Sequence, residues 1–395
     1  MKIAIITSVP MAPPWDQGDK NLAYALTQAL NQHRFRILTQ RGGPVPSGAN
    51  LDTVPIYRSR RPSLLQKAFV YLQMLASYPA NGIPPPDSLS HGNLDIYHLI
   101  YQPTPLSASI GKWLPAFQRT PILHTVPSVS TGQTLHRGLF FSDRLVALSR
   151  YAQNCLESMG FNNVTHIPVG IEVSSWSGLG AHARATKARL GLSGHPVVLY
   201  PGHYTSGYGL EILLRAMPEV VTRIPEVKFI IACRMRSPGD RQREAAFKAE
   251  INRLGLAGNV FMQYSVTDMR TLIGASDLTI LPLLTMRDKI DTPTTLLESL
   301  AAGVPVIISN LPPMNELLTR HPGVWGDAAG QTSASDVGLA IPPADAGALA
   351  QAILDLLGNT DLRERMGARG QKLVQEKYNI LSVARQYEKL YRELA

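Results

Sequence analysis

Residues 291–309, DTPTTLLESLAAGVPVIIS, decide how the rest of the chain is read. Asp291 or Thr292 can cap a helix whose first position is Pro293, a residue favoured there because its missing N–H is not needed. Gly303 and Pro305 stop that helix, and the β-branched run 304–309 predicts a core strand behind it. This order gathers free backbone N–H groups and the positive end of a helix dipole at one place, a ready anion site. Glu298 falls about one and a half turns into the helix, where a carboxylate can accept hydrogen bonds from vicinal hydroxyls. Taken alone, Glu298 reads as a solvated helix carboxylate. The Ala-Ala-Gly-Val-Pro-Val-Ile run that follows reverses that reading.

Short β-branched runs alternate with helical patterns along most of the chain, the mark of α/β architecture with parallel sheets. In the first half the predicted strands are 3–8, 35–40, 95–101, 120–125, 144–149 and 165–170. A helix from about Asp19 to Asn31 carries Leu22, Leu26 and Leu30 at helical spacing. A polar, Gly/Ser-rich region near 171–195 suits a hinge. A second alternation follows, with strands at 196–202, 227–232, 260–264, 278–283 and 304–309 and an amphipathic helix over 210–223. Two doubly wound halves predict two facing Rossmann-like sheets, an inter-domain cleft, and ligands beyond the carboxyl ends of the strands. The expected domains are residues 1–172, completed by a C-terminal helix at about 379–395 that crosses back, and residues 173–378.

Hydrophobic content of 45% and charged content of 17% exclude a disordered or fibrous chain. Two cysteines, Cys155 and Cys233, exclude a disulfide framework and a four-cysteine zinc site and suit a reducing, cytoplasmic compartment. The opening MKIAIITSVP is too short an apolar run for a signal peptide and reads as a first strand. No run is long enough to span a membrane. The net charge of +9, with 14 Lys/Arg against 8 Asp/Glu in residues 1–172, points to anionic partners. No nucleic-acid motif accompanies it. Segment 57–76 sets Arg58, Arg60, Arg61 and Lys67 beside an apolar run. It reads either as an interfacial helix on anionic lipid at the inner face of the membrane or as a domain helix with a solvated basic end.

The 291–309 segment resembles the nucleotide-sugar signature of glycosyltransferase family 4, in which a Pro or Gly precedes an apolar stretch, a Glu and an A-A-G-x-P-V-I run. The resemblance implies a GT-B fold and a retaining transferase that moves a hexosyl or related group from a nucleotide-diphosphate donor. It also implies that Glu298 binds the donor ribose. Relatives carry another Glu eight positions earlier, where this chain has Ile290; Asp291 is the candidate replacement against the sugar hydroxyls. Thr292, Pro293, Thr294 and Thr295 would then present backbone and hydroxyl groups to the sugar and diphosphate. Residues 200–217, YPGHYTSGYGLEILLRAM, resemble the family's pyrophosphate element, built on Gly202 and Gly209. His203 and Tyr208 stand where relatives have an Arg and a Lys, and neither is a permanent cation. Arg234, Arg236, Arg287 and Lys289 are the candidate replacements, with solvated loop cations as the other reading. Loops near Tyr264–Val266 and 285–292 would set base and sugar selectivity.

In the first half, Gly18 occupies a loop where relatives often carry a Gly pair approached by donor phosphate or acceptor; an ordinary loop is the alternative. His124 ends a strand and is read either as an acceptor contact or as a satisfied core histidine. No two Asp stand at i, i+2, so the Asp-x-Asp metal clamp is absent. The resemblance implies transfer without metal or cofactor, with the leaving phosphate taking the acceptor proton. The expected partners are a nucleotide sugar, an acceptor that is a glycan, a lipid-linked or a small molecule, and an anionic membrane. Rival readings are a GT-B nucleotide-sugar epimerase, a sugar phosphorylase, and a non-catalytic binding module that lost the cations at 203 and 208.

Overall fold

A computed structural model describes residues 1–13, 15, 17–59, 94–113, 120–130, 135–176, 178–235, 238–263, 268–287, 289–318 and 333–395. The helix expected over 57–76 lies almost wholly outside these residues, as do Arg236 and Tyr264. The chain divides into two units: Met1–Glu172 with Arg287–Asp291 and Tyr378–Ala395, and Val173–Met286 with Thr292–Lys377.

The first unit is built on β1 (Lys2–Thr7), α1 (Gly18–Ala29), β2 (Arg34–Gln40), β3 (Leu51–Tyr57), β4 (Ile96–Ile100), α2 (Pro105–Trp113), β5 (Ile122–Val126), β6 (Arg144–Ala147), α3 (Arg150–Ser158) and β7 (Val164–His166). Its strands are parallel and ordered β3-β2-β1-β4-β5-β6-β7, the doubly wound pattern whose connections reverse between β1 and β4. β1, β4 and β5 are almost wholly buried, as expected of central parallel strands covered on both faces. β3 was not anticipated from the sequence, because Pro55 within it argues against a strand. Its edge position explains how a residue lacking an N–H is accommodated.

The C-terminal helix, Ile380–Leu394, packs on this unit through a buried polar chain. Tyr391 Oη lies 2.7 Å from His98 Nδ1, and His98 Nε2 lies 2.8 Å from Thr125 Oγ1. Tyr387 Oη lies 3.1 Å from the same threonine hydroxyl. Both tyrosines and His98 are fully buried. Burial pushes the His98 imidazole down to about 3, with the neighbouring His124 adding to the shift, so the ring is neutral and shares its nitrogens between the two hydroxyls. The helix start is tied by Ile380 N donating to the Ile171 carbonyl and by the Asn379 side chain accepting from Leu381 N.

The second unit runs α4 (Leu179–Arg189), β8 (Val197–Tyr200), α5 (Leu210–Arg223), β9 (Lys228–Ala232), α6 (Gly239–Arg253), β10 (Val260–Gln263), α7 (Met269–Gly274), β11 (Leu278–Leu281), α8 (Thr294–Ala301), β12 (Val306–Ser309), β13 (Ser333–Ala334), β14 (Gly338–Ile341), α9 (Ala346–Leu357) and α10 (Thr360–Leu373). Six strands are parallel in the order β10-β9-β8-β11-β12-β14, and the two-residue β13 pairs antiparallel at the β14 edge. The switch point falls between β8 and β11. The leucine and valine face expected over 210–223 is the buried side of α5: Leu210, Leu213, Met217 and Val220 lie in the core with Phe229 and Ile353.

Tyr391→Phe would leave the His98 Nδ1 unpaired in the core, at a cost of about 1–3 kcal/mol. Calorimetry should show the melting transition lowered by a few degrees, roughly 2–4 °C for each kcal/mol in a unit of this size. An unchanged midpoint would mean the buried bond contributes nothing net.

Candidate active site

The chain leaving β8 folds into a tight loop at the switch point of the second sheet. Tyr200 ends the strand fully buried, and its phenol donates to the Tyr208 carbonyl at 2.8 Å and reaches the His203 carbonyl at 3.4 Å. Gly202 passes so close beneath that ring that an added Cβ would lie 2.1 Å from it. At the far end Gly209 adopts φ +84°, and a Cβ there would lie 1.9 Å from the Pro282 carbonyl just beyond β11. Leu284 N donates to the Gly207 carbonyl at 2.9 Å. The loop is thereby pinned between the ends of the two strands where ligands of such sheets bind.

His203 and Tyr208 do not face outward from this loop. They are 5% and 7% exposed and stack edge to face at 4.7 Å. The His203 backbone pairs as a parallel bridge with Arg234, which leaves the end of β9 half-buried. Arg234 is therefore set beside the glycine loop, the one of the four candidate cations that the second unit is shown to place there. Arg287 and Lys289 belong to the first unit, where Arg287 is exposed and Lys289 half-buried.

The helix start differs from expectation. α8 begins at Thr294, with Pro293 at the N-cap in a non-helical conformation (ψ 122°) and no side-chain cap. Asp291 does not cap it. That carboxylate is fully buried in the first unit, where Ser149 Oγ donates to Asp291 Oδ2 at 2.6 Å and Asp291 N donates to the Pro127 carbonyl. Ser149 itself caps α3 by accepting from Ala152 N at 2.9 Å. Asp291 Oδ2 is bound into the α3 cap, a charge-assisted bond to a buried hydroxyl, and the carboxylate does not cap α8. With Asp291 turned away, Pro293 supplies no N–H and Thr294 opens the helix. Thr292 is buried, and Thr294 and Thr295 are half-buried.

On α8, Leu296, Leu297 and Leu300 enter the core, and Ser299 Oγ donates to Thr279 Oγ1 on β11 at 2.9 Å. Glu298 falls among these buried positions and retains partial exposure. Burial nonetheless dominates its chemistry, pushing the carboxyl up to about 7, while the Arg234 charge pulls in the opposite direction. Glu298, Arg234 and the glycine loop thus share one electrostatic neighbourhood within the second unit.

The two first-half candidates meet different surroundings. Gly18 opens α1, and a Cβ there would lie 2.9 Å from Ile290 Cγ2. The missing side chain makes room for Ile290. His124 is fully buried on β5, with its Nε2 hydrogen-bonded to the Tyr101 carbonyl at 3.0 Å and its ring against Tyr101 and Phe140. Burial pushes it down to about 4. It is a neutral core histidine, the second of its two readings, and not an acceptor contact. Sequence reading missed Tyr200; an aromatic hydroxyl ending a core strand directly before Pro-Gly was the available signal. Among the described residues no three His, Cys, Asp or Glu side chains gather as a metal set.

Residues 195–359 match the family described as Glycosyl transferases group 1. Phosphatidyl-myo-inositol mannosyltransferase of Mycobacterium leprae is 26% identical over 321 residues, covering 78% of this chain and 75% of that protein. Alpha-D-kanosaminyltransferase of Streptomyces kanamyceticus is 24% identical over 208 residues, covering 53% of this chain and 48% of its own. Among solved structures, sucrose-phosphate synthase from Thermosynechococcus elongatus superposes with a TM-score of 0.76 at 20% identity, covering 100% of this chain and 98% of that one. Anabaena HepE in complex with UDP and glucose gives 0.72 at 15% identity, covering 100% and 99%. The two parallel-sheet units are those of the GT-B fold. With the matched domain and the mannosyltransferase relatives, the chain is a glycosyltransferase.

Two outcomes follow from this geometry. Gly209→Ala, strained at its φ and in collision with the Pro282 carbonyl, should lower the melting midpoint of the second unit by several degrees, roughly what 1–3 kcal/mol of backbone strain produces. Glu298 gives a pH signature. Its folded value lies above the usual carboxylate range, so its contribution to stability is complete below pH 4.5 and is lost as pH rises through about 7. The melting midpoint of Glu298→Gln relative to the native chain should therefore rise between pH 5 and pH 8. A flat difference would show that burial does not govern this carboxyl.

Proposed function

We propose that this chain is a retaining glycosyltransferase of family 4 type that transfers a hexosyl or related group from a nucleoside-diphosphate donor to an acceptor hydroxyl. The carrying observation is that, inside the matched segment, the charge of Arg234 acts on the Glu298 carboxyl while the Arg234 backbone pairs with His203 of the glycine loop at the strand ends. Glu298 accepts from the ribose hydroxyls. The Thr294–Thr295 helix start and the 202–209 loop hold the sugar and diphosphate through amides and hydroxyls. Developing charge on the departing diphosphate is met by these fixed dipoles, and the leaving phosphate oxygen takes the acceptor proton, so transfer needs neither a metal ion nor a cofactor.

The names of the mannosyltransferase relatives support a lipid-linked polyol as acceptor. The basic balance of the chain supports work beside an anionic membrane on the cytoplasmic side, where nucleotide sugars are made. Among the described residues no helix is long and apolar enough to cross a membrane. No observation favours an epimerase, a phosphorylase or a non-catalytic module over transfer.

The test is turnover of a panel of UDP-, GDP- and ADP-sugars with lipid-linked and free polyol acceptors, with product anomers assigned by NMR. Glu298→Ala should lower kcat/KM at least tenfold, the scale of a lost charged hydrogen bond. Unchanged turnover in this variant would remove Glu298 from the site, and an inverted anomer would remove the retaining assignment.

A further inference from the structure

We propose that Arg234 supplies the positive charge that holds the donor's diphosphate, in place of the cations that positions 203 and 208 lack. The proposal rests on the donor-site reading above and deepens it by naming the residue that recognises the phosphates.

Position is the first argument. Ligands of a doubly wound sheet lie beyond the carboxyl ends of its strands. In the second unit, among the described residues of the loops leaving those ends, Arg234 is the sole Lys or Arg. Its backbone is fixed by the parallel bridge to His203, so it cannot drift from the glycine loop without breaking the extension of the β8–β9 pairing. That loop is built without side chains at 202, 207 and 209, which leaves its backbone bare for close approach by a phosphate.

Elimination is the second argument. His203 and Tyr208 are buried against each other, so neither side chain stands open to a ligand. Arg287 and Lys289 are not part of the second unit, to which this assignment is confined.

The third argument is electrostatic and independent of the loop. The Arg234 charge acts on Glu298, which lies on a different element far along the chain. Arg234 therefore neighbours the phosphate-side loop through its backbone and the ribose-side carboxylate through its charge. A nucleoside diphosphate joins a ribose to a diphosphate through one ester bond, so a cation between the two subsites is placed where the phosphate charge must fall. Arginine suits this position better than lysine, because its planar fork donates to two phosphate oxygens at once while staying charged at every working pH. As the sugar leaves, negative charge on the diphosphate grows and the same contact strengthens.

Calorimetric titration with UDP, GDP and ADP, and with uridine, guanosine and adenosine alone, tests the assignment on the full chain. For the diphosphate that the native protein binds, Arg234→Met should weaken affinity about 10- to 100-fold, the equivalent of a lost charge-assisted contact. Nucleoside binding should stay within about twofold, and Arg234→Lys should recover part of the loss. Melting curves confirm that each variant is folded, and Arg234→Gln serves if the methionine variant is not. Diphosphate affinity within about twofold of native in the methionine variant overturns the proposal. Equal loss of nucleoside and diphosphate also overturns it, because that pattern reports a collapsed pocket. If Arg234→Met binds normally while Glu298→Ala does not, the donor site stands and only the Arg234 role falls. A native chain that binds none of the three diphosphates sinks the donor-site reading itself.

Discussion

A buried phenol must find an acceptor, and at the end of β8 that requirement shapes the loop at the switch point of the second sheet. Tyr200 sits in the core with its hydroxyl desolvated, and the carbonyls of Tyr208 and His203 are the acceptors it meets. Satisfying it folds the following residues back over the strand end. Burial holds that phenol far from ionising, so the latch is a neutral hydrogen bond at any ordinary pH. Once the loop is folded back, His203 pairs with Arg234, the glycines lie against β8 and β11, and α5 starts at Leu210. Each of these placements would be different if the phenol pointed to solvent.

The two acidic groups singled out in residues 291–309 show how burial sorts chemically similar side chains. Asp291 is fully buried and accepts from a serine hydroxyl that also caps a helix, so its charge is spent on structure. Glu298 is given no such partner by the helix that carries it; low solvation raises its affinity for a proton, and only the charge of Arg234 offsets the shift.

The first unit spends its buried polar groups differently. His98, Thr125, Tyr387 and Tyr391 form a closed chain in which each hydroxyl and ring nitrogen has a partner, joining the last helix to the middle of the sheet. His124, one strand over, bonds to a backbone carbonyl and stays neutral. His98 and His124 are structural, because a ring sealed in a parallel core does not tolerate a charge.

Local signals carried the α/β reading a long way. Alternating β-branched runs and the leucine spacing of α5 report burial on a fixed period, which depends only on near neighbours in sequence. The glycines of the 202–209 loop were legible through the family resemblance, and the Glu298 helix through the local stop signals at Gly303 and Pro305. β3 was hidden because proline at Pro55 is tolerated only at a sheet edge, and edge position is a property of the assembled sheet. Tertiary structure alone decided that Asp291 would serve Ser149, that Ile290 would fill the space beside Gly18, and that Arg234 would stand next to His203 and Glu298. Those pairings join residues far apart in the chain, and which of them meet is settled by the order in which the strands lie side by side.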